Sequence, residues 1–173
     1  TADYTGGILR RLLVEDTNGN DTYATSDYTY DATGALTSLE TLFDSGIDEV
    51  ISFSAGLKTT VVKTDVSAGN LFTWTTQTYT YDPTGTSLAS MRQIDDIGDI
   101  SEHTYASGAL TRFVFTDLSG SSLISSYDVG YNLNGSHAYL STTYDNGRLA
   151  TTTFTNGVRS SYLQTDAGNV DPN

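Results

Sequence analysis

The chain has 173 residues, with 21 acidic against 8 basic side chains and a formal net charge of -13. That balance excludes a nucleic-acid partner, whose phosphates need a basic footprint, and it disfavours anionic membrane surfaces. There is no cysteine, so neither a disulfide framework nor a zinc–thiolate site is available, and no apolar run approaches the ~20 residues of a membrane-spanning helix.

The elements recur along the chain. A leading fragment, residues 1–20, holds an aromatic-x-x-Gly block from Tyr4 to Gly7 and then Asp16. A first repeat, 21–69, carries Tyr30-Asp31 to Gly34, Asp44 before Gly46, Phe53 to Gly56, and Asp65. A second, 70–120, repeats the markers as Tyr81-Asp82 to Gly85, Asp96 before Gly98, Tyr105 to Gly108, and Asp117. A third, 121–173, gives Tyr131-Asn132 to Gly135, Asp145 before Gly147, Phe154 to Gly157, and Asp166. Gly7, Gly56, Gly108 and Gly157 stand 49, 52 and 49 residues apart, so one tandem array with a period near fifty is expected.

The palette is Thr, Ser, Tyr, Gly and Asp. Thr and Tyr favour strands, whereas Gly, Asp and Asn favour turns, and no sustained helical period is present. Each glycine marker has hairpin chemistry: Asp31 to Gly34 and Asp82-Pro83 to Gly85 suit a type I turn closed by a left-handed glycine, and Asn146-Gly147 and Asn156-Gly157 are strong hairpin pairs. In the second repeat the spacing predicts strands over 72–82, 87–95, 99–106 and 109–117. The expected fold is therefore all-β, with tandem four-stranded antiparallel units forming an open meander or spiral. A partial β-propeller is the alternative, since kelch blades have a similar period. Weak alternation points to a thin sheet with a modest core.

Tyr144-Asp145-Asn146-Gly147-Arg148-Leu149, Tyr28-Thr29-Tyr30-Asp31 and Tyr79-Thr80-Tyr81-Asp82 resemble the YD repeat of large bacterial surface and toxin-delivery proteins of the Rhs type. The array is also similar to tandem repeats of very large secreted bacterial proteins of the calcium-dependent type. Both resemblances imply an extracellular or cell-surface protein. Thr1 in place of Met suggests a processed chain or a segment of a longer one. Neither end carries a sequence distinct from the interior pattern, so either the array continues or copies join end to end through exposed β edges.

Candidate sites follow the acids and the aromatics. Asp16, Asn18 and Asn20 have a partial likeness to a calcium loop, and Asp95, Asp96 and Asp99 form, with Glu102, the densest acidic cluster; calcium is the one candidate cofactor. Turn chemistry accounts for the recurring aspartates without a metal. Trp74, Tyr79 and Tyr81 offer rings for stacking on surface glycans, although a ladder that only stabilises the sheet explains them as well. His103 and His137 lack any recognisable nucleophile or metal-ligand spacing, and no catalytic residue is assigned. The expected function is a non-catalytic extracellular structural protein, a filament or adhesion building block whose partner is itself. The alternatives are a carbohydrate- or calcium-dependent adhesion module and a secreted carbohydrate-active enzyme using Asp95, Asp96 and Glu102.

Overall fold

The structure is a computed structural model and describes residues 1–69 and 71–166. Asn70, expected to close a surface loop, and 167–173, the end of the third repeat, lie outside the described residues. The chain is all-β, with no helix among the described residues. Its strands are β1 (Ala2–Thr5), β2 (Ile8–Glu15), β3 (Tyr23–Tyr30), β4 (Leu36–Phe43), β5 (Ile47–Ser54), β6 (Leu57–Asp65), β7 (Trp74–Tyr81), β8 (Leu88–Asp95), β9 (Ile100–Ala106), β10 (Ala109–Thr116), β11 (Ile124–Tyr131), β12 (His137–Tyr144), β13 (Leu149–Thr155) and β14 (Val158–Thr165). The four strands expected in the second repeat are β7 to β10.

The chain forms two compact units, Thr1–Ala89 and Ser90–Asn173. In the N-terminal unit β1 to β7 lie side by side in chain order, each antiparallel to the next. In the C-terminal unit the same holds from β8, which begins at Leu88, to β14. This is the expected meander. The propeller alternative fails at the repeat junctions. Propeller blades are separate sheets around a channel, whereas here the last strand of one repeat is hydrogen-bonded to the first strand of the next, β6 to β7 and β10 to β11.

Three connections recur, and each follows from its residues. After the first and second strands of a repeat comes a turn in which the closing glycine donates back three residues: Gly34 N–H to Asp31 O, Gly46 to Phe43, Gly98 to Asp95 and Gly147 to Tyr144, at 2.8–3.1 Å. After the third strand comes a two-residue turn with both central residues left-handed, Ala55-Gly56, Ser107-Gly108 and Asn156-Gly157, at φ of 51–52° and 77–79°. That is the primed hairpin turn, whose twist matches its strands. The two Asn-Gly pairs thus differ: Asn156 is left-handed, while Asn146 is not and accepts the Arg148 amide at 3.0 Å inside the turn that Gly147 closes.

The hairpin between the third and fourth strands of a repeat carries a bulge at a fixed place. Thr59 and Thr111 are the extra residues in β6 and β10, and each hydroxyl donates to a carbonyl across the hairpin, Ser52 O and Thr104 O, at 3.1 Å. The side chain thereby replaces a ladder bond that the bulge interrupts.

Burial is shallow. Among the described residues the buried apolar side chains are Val61 in the N-terminal unit and Val129 and Ala150 in the C-terminal unit. Most strand residues are half-buried on either face, as expected of a thin sheet.

Candidate functional site

The carboxylates that open the long loops are engaged by backbone amides. Asp16 accepts the amides of Asn18, Gly19 and Asp21, each at 2.9 Å. Those amides hold its carboxyl below the usual carboxylate range, Asp21 contributing most. Asp65 is held low chiefly by the Ser67 hydroxyl and amide. Burial opposes the charge of Asp117, but the amides of Ser122, Gly120 and Ser121 and the Ser119 hydroxyl outweigh it and lower its pKa.

The six residues expected around a cation fall into two places. Asp16, Asn18 and Asn20 share the β2–β3 loop of the N-terminal unit, where Asn18 and Asn20 are exposed. Asp95, Asp96 and Asp99 share the β8–β9 turn of the C-terminal unit. There Asp95 accepts the amides of Ile97 and Asp99. Asp99, only 5% exposed, reaches across to the next loop and accepts the amides of Leu118 and Ser119 at 2.9 Å. Asp99 is thus the tie between two neighbouring loops, and Asp96 stays exposed. Glu102 lies on the β8–β9 ladder opposite Arg92, with which it forms an exposed pair at 3.5 Å. Among the described residues no three His, Cys, Asp or Glu side chains are grouped to hold a metal.

The aromatic candidates separate too. Trp74 packs on Phe72, ring centres 5.2 Å apart. Tyr79 and Tyr81 instead line a groove of about 320 Å³ over β5, β6 and β7, with Glu49, Ile51, Lys58, Val61 and Lys63. The register explains the grouping. Glu49 stands opposite Lys63, Ile51 opposite Val61, Val61 opposite Tyr79 and Lys63 opposite Gln77, so the set projects from one face. Val61, 5% exposed, is the floor. Lys63 Nζ lies 3.0 Å from Glu49 Oε2, Tyr79 donates to Gln77 Oε1 at 2.8 Å, and Lys58 Nζ sits 3.8 Å from the centre of the Tyr81 ring. The two lysines are the only ones in the sequence. That scarcity was the signal available for them, together with their places two and seven residues after Gly56.

Sequence reasoning also missed an ion pair that recurs at two repeat junctions. Arg11 of β2 binds Asp27 of β3 through Nε at 2.9 Å and a second nitrogen at 2.5 Å. Arg112 of β10 binds Asp128 of β11 in the same forked way, at 3.0 and 2.8 Å. Both carboxyls are held low by their arginine. The arginines are half exposed, so solvent screens each pair and its energetic contribution is small. Its stronger effect is on register, because a forked contact between fixed positions disfavours a slip.

No family model and no curated protein matches this chain. Among solved structures, the crystal structure of a candidate 6-phosphogluconolactonase from Bacteroides uniformis is similar to it at 14% identity, over 88% of this chain and 71% of that one, with a TM-score of 0.23. A likeness at that level carries no argument about fold or activity.

Proposed function

We propose that this chain is a non-catalytic structural repeat protein of an extracellular surface, whose copies join end to end through β edges. The observation that carries this reading is the ladder that crosses the repeat junctions, so that each interior fourth strand has a strand on both sides. β2, β6 and β10 are paired on both sides. β14, built on the same spacing from its glycine turn, pairs among the described strands with β13 alone and is exposed along its whole length. Tyr162 and Leu163 are 55% and 63% exposed there, at the places of Val61 and Val62. β14 repeats the interior fourth strands, so it suits a further strand on its second side, as β2, β6 and β10 each take one. The Thr/Tyr/Gly composition, the acidity and the likeness to YD repeats support the surface location.

The test is electron microscopy and light scattering of the purified protein beside a Tyr162→Lys, Leu163→Lys variant. Charges on an edge oppose pairing, and substitution of such exposed residues leaves stability within about 0.5 kcal/mol. Particles that lengthen with concentration in the parent, and stay single in the variant, support the reading. Parent particles that remain single at all concentrations contradict it.

A second reading, a carbohydrate-adhesion surface on the same scaffold, is favoured by the groove lined by Tyr79 and Tyr81.

A further inference from the structure

The face that carries the groove has a counterpart in the C-terminal unit, and the two are filled differently. At the positions of Ile51, Val61, Lys63 and Gln77 the later repeats place His103, Phe113, Phe115 and Tyr127. The pairings are the same: Phe113 opposite His103 and Val129, Phe115 opposite Ser101 and Tyr127. There the rings close on each other, His103 to Phe113 at 4.6 Å, Phe113 to Tyr127 at 5.6 Å and Phe115 to Tyr127 at 5.1 Å. Where Glu49 stands the counterpart is Ser101, and where Lys58 stands it is Leu110. The β5–β7 face holds a polar groove where the β9–β11 face holds a packed cluster of rings. The groove face lacks the ring-on-ring packing of its counterpart, which marks it as a place where the repeat can serve something other than its own stability.

The groove's chemistry narrows what fits. Tyr79 and Tyr81 supply apolar ring surface for the C–H side of a sugar ring. Glu49 and Lys63 set an acceptor and a donor side by side, an arrangement that reads neighbouring hydroxyls. Lys58 is different. Among the described residues it makes no salt bridge, and its ammonium rests on the Tyr81 ring with donors left for a ligand. A volume near 320 Å³ is at the low end for small-molecule sites, enough for the end of a chain of sugars.

We propose that this groove binds a sugar ring bearing one carboxylate, with the ring against Tyr79 and Tyr81, the hydroxyls on Glu49 and Lys63, and the carboxylate on Lys58. The proposal rests on the carbohydrate-adhesion reading and names its ligand class. The overall charge of -13 disfavours densely charged polyanions, which meet repulsion from the whole chain; a single carboxylate at the groove meets the local cation instead.

The test is a titration of the full chain with methyl β-glucuronide and, separately, methyl β-glucoside, followed by amide and lysine side-chain shifts in nuclear magnetic resonance. The two probes differ only in the carboxylate. The glucuronide is expected to bind at millimolar concentration, to shift residues of β5–β7 including Lys58 and Tyr81, and to bind more tightly than the glucoside. Lys58→Gln is expected to weaken the glucuronide about tenfold, the loss of one charge-assisted contact, and to leave the glucoside unchanged. Arg159→Gln, the equivalent position in the last repeat, is expected to change neither. Equal affinity for the two probes overturns the acidic class and leaves the adhesion reading standing. Absence of binding by both, or binding that shifts other strands, overturns the proposal and the adhesion reading together.

Discussion

The β5–β7 face of the N-terminal unit and the β9–β11 face of the C-terminal unit share a register and differ in what fills it. One presents Val61, Lys63, Glu49 and Tyr79 around a groove; the other packs His103, Phe113, Phe115 and Tyr127 ring on ring. The difference teaches that in a thin sheet of this kind the backbone pattern does not depend on one filling. Turns, bulges and ladder bonds set the strands, and each face is then free to serve packing or binding.

The largest expected effect tests whether the ring cluster carries stability that the groove does not. Phe113→Ala is expected to cost about 2–3 kcal/mol, below the usual range for a wholly buried Phe because the site is half-buried. Val61→Ala, at the same register position, is expected to cost about 1.5 kcal/mol. Chemical denaturation reads both, and a larger loss for Val61→Ala breaks the comparison.

Next comes a steric difference beside the same junction. Thr29 in the first repeat corresponds to Gly130 in the third, where the Tyr139 ring lies across the glycine and its hydroxyl donates to Asp128 at 3.1 Å. A Cβ at position 130 would meet that ring at 2.1–2.8 Å. Gly130→Thr is expected to destabilise by about 2 kcal/mol, as overpacking does. Adding Tyr139→Ser, which recreates the Thr29–Ser38 pair, is expected to recover most of it. A double variant no better than the single one refutes the steric account.

Acid separates the turns. The Thr33 hydroxyl and the amides of Ala35 and Thr33 hold the Asp31 carboxyl low, and the Thr84 hydroxyl does most for Asp82. At the same place the third repeat has Asn132, which does not titrate. A carboxylate with a lowered folded pKa stabilises the fold above its unfolded value near 3.8, and the contribution is lost as pH falls through the folded value. Stability is therefore expected to be flat from neutrality to about pH 5 and to fall below about pH 4. Asp31→Asn with Asp82→Asn is expected to make that fall shallower, and an unchanged slope in denaturation at several pH values speaks against it.

The smallest effect lies in the primed turns. Ala55 and Asn156 share a φ of 51°, which costs alanine more than asparagine. Ala55→Asn is expected to raise stability by about 0.5 kcal/mol, with no gain if the turn relaxes out of the left-handed region.

Much of the fold was legible because turn chemistry is local. The glycine markers, and the acids placed before them, set the hairpins, and the strands between followed. The junction between repeats was harder to read, because pairing of β6 with β7 rather than closure into blades depends on a ladder across a variable loop. The acids expected around a cation illustrate the limit of spacing: Asp16 and Asp99 are engaged by amides of their own and neighbouring loops, which no residue count displays. Trp74, Tyr79 and Tyr81 read as one aromatic set, yet Trp74 turns to Phe72 while the tyrosines join Lys58 and Lys63. That grouping depends on strands brought together from positions 49 to 81, and only the register reveals it.

The central claim is that the β5–β7 face serves binding where the β9–β11 face serves packing, and its most direct test is to install that packing. In a Lys63→Phe, Gln77→Tyr variant, which copies the Phe115–Tyr127 pair, the account predicts a higher melting temperature, by a ring pair of about 0.5–1.5 kcal/mol, together with loss of glucuronide binding. A variant that melts lower, or binds the glucuronide as the parent does, would contradict it.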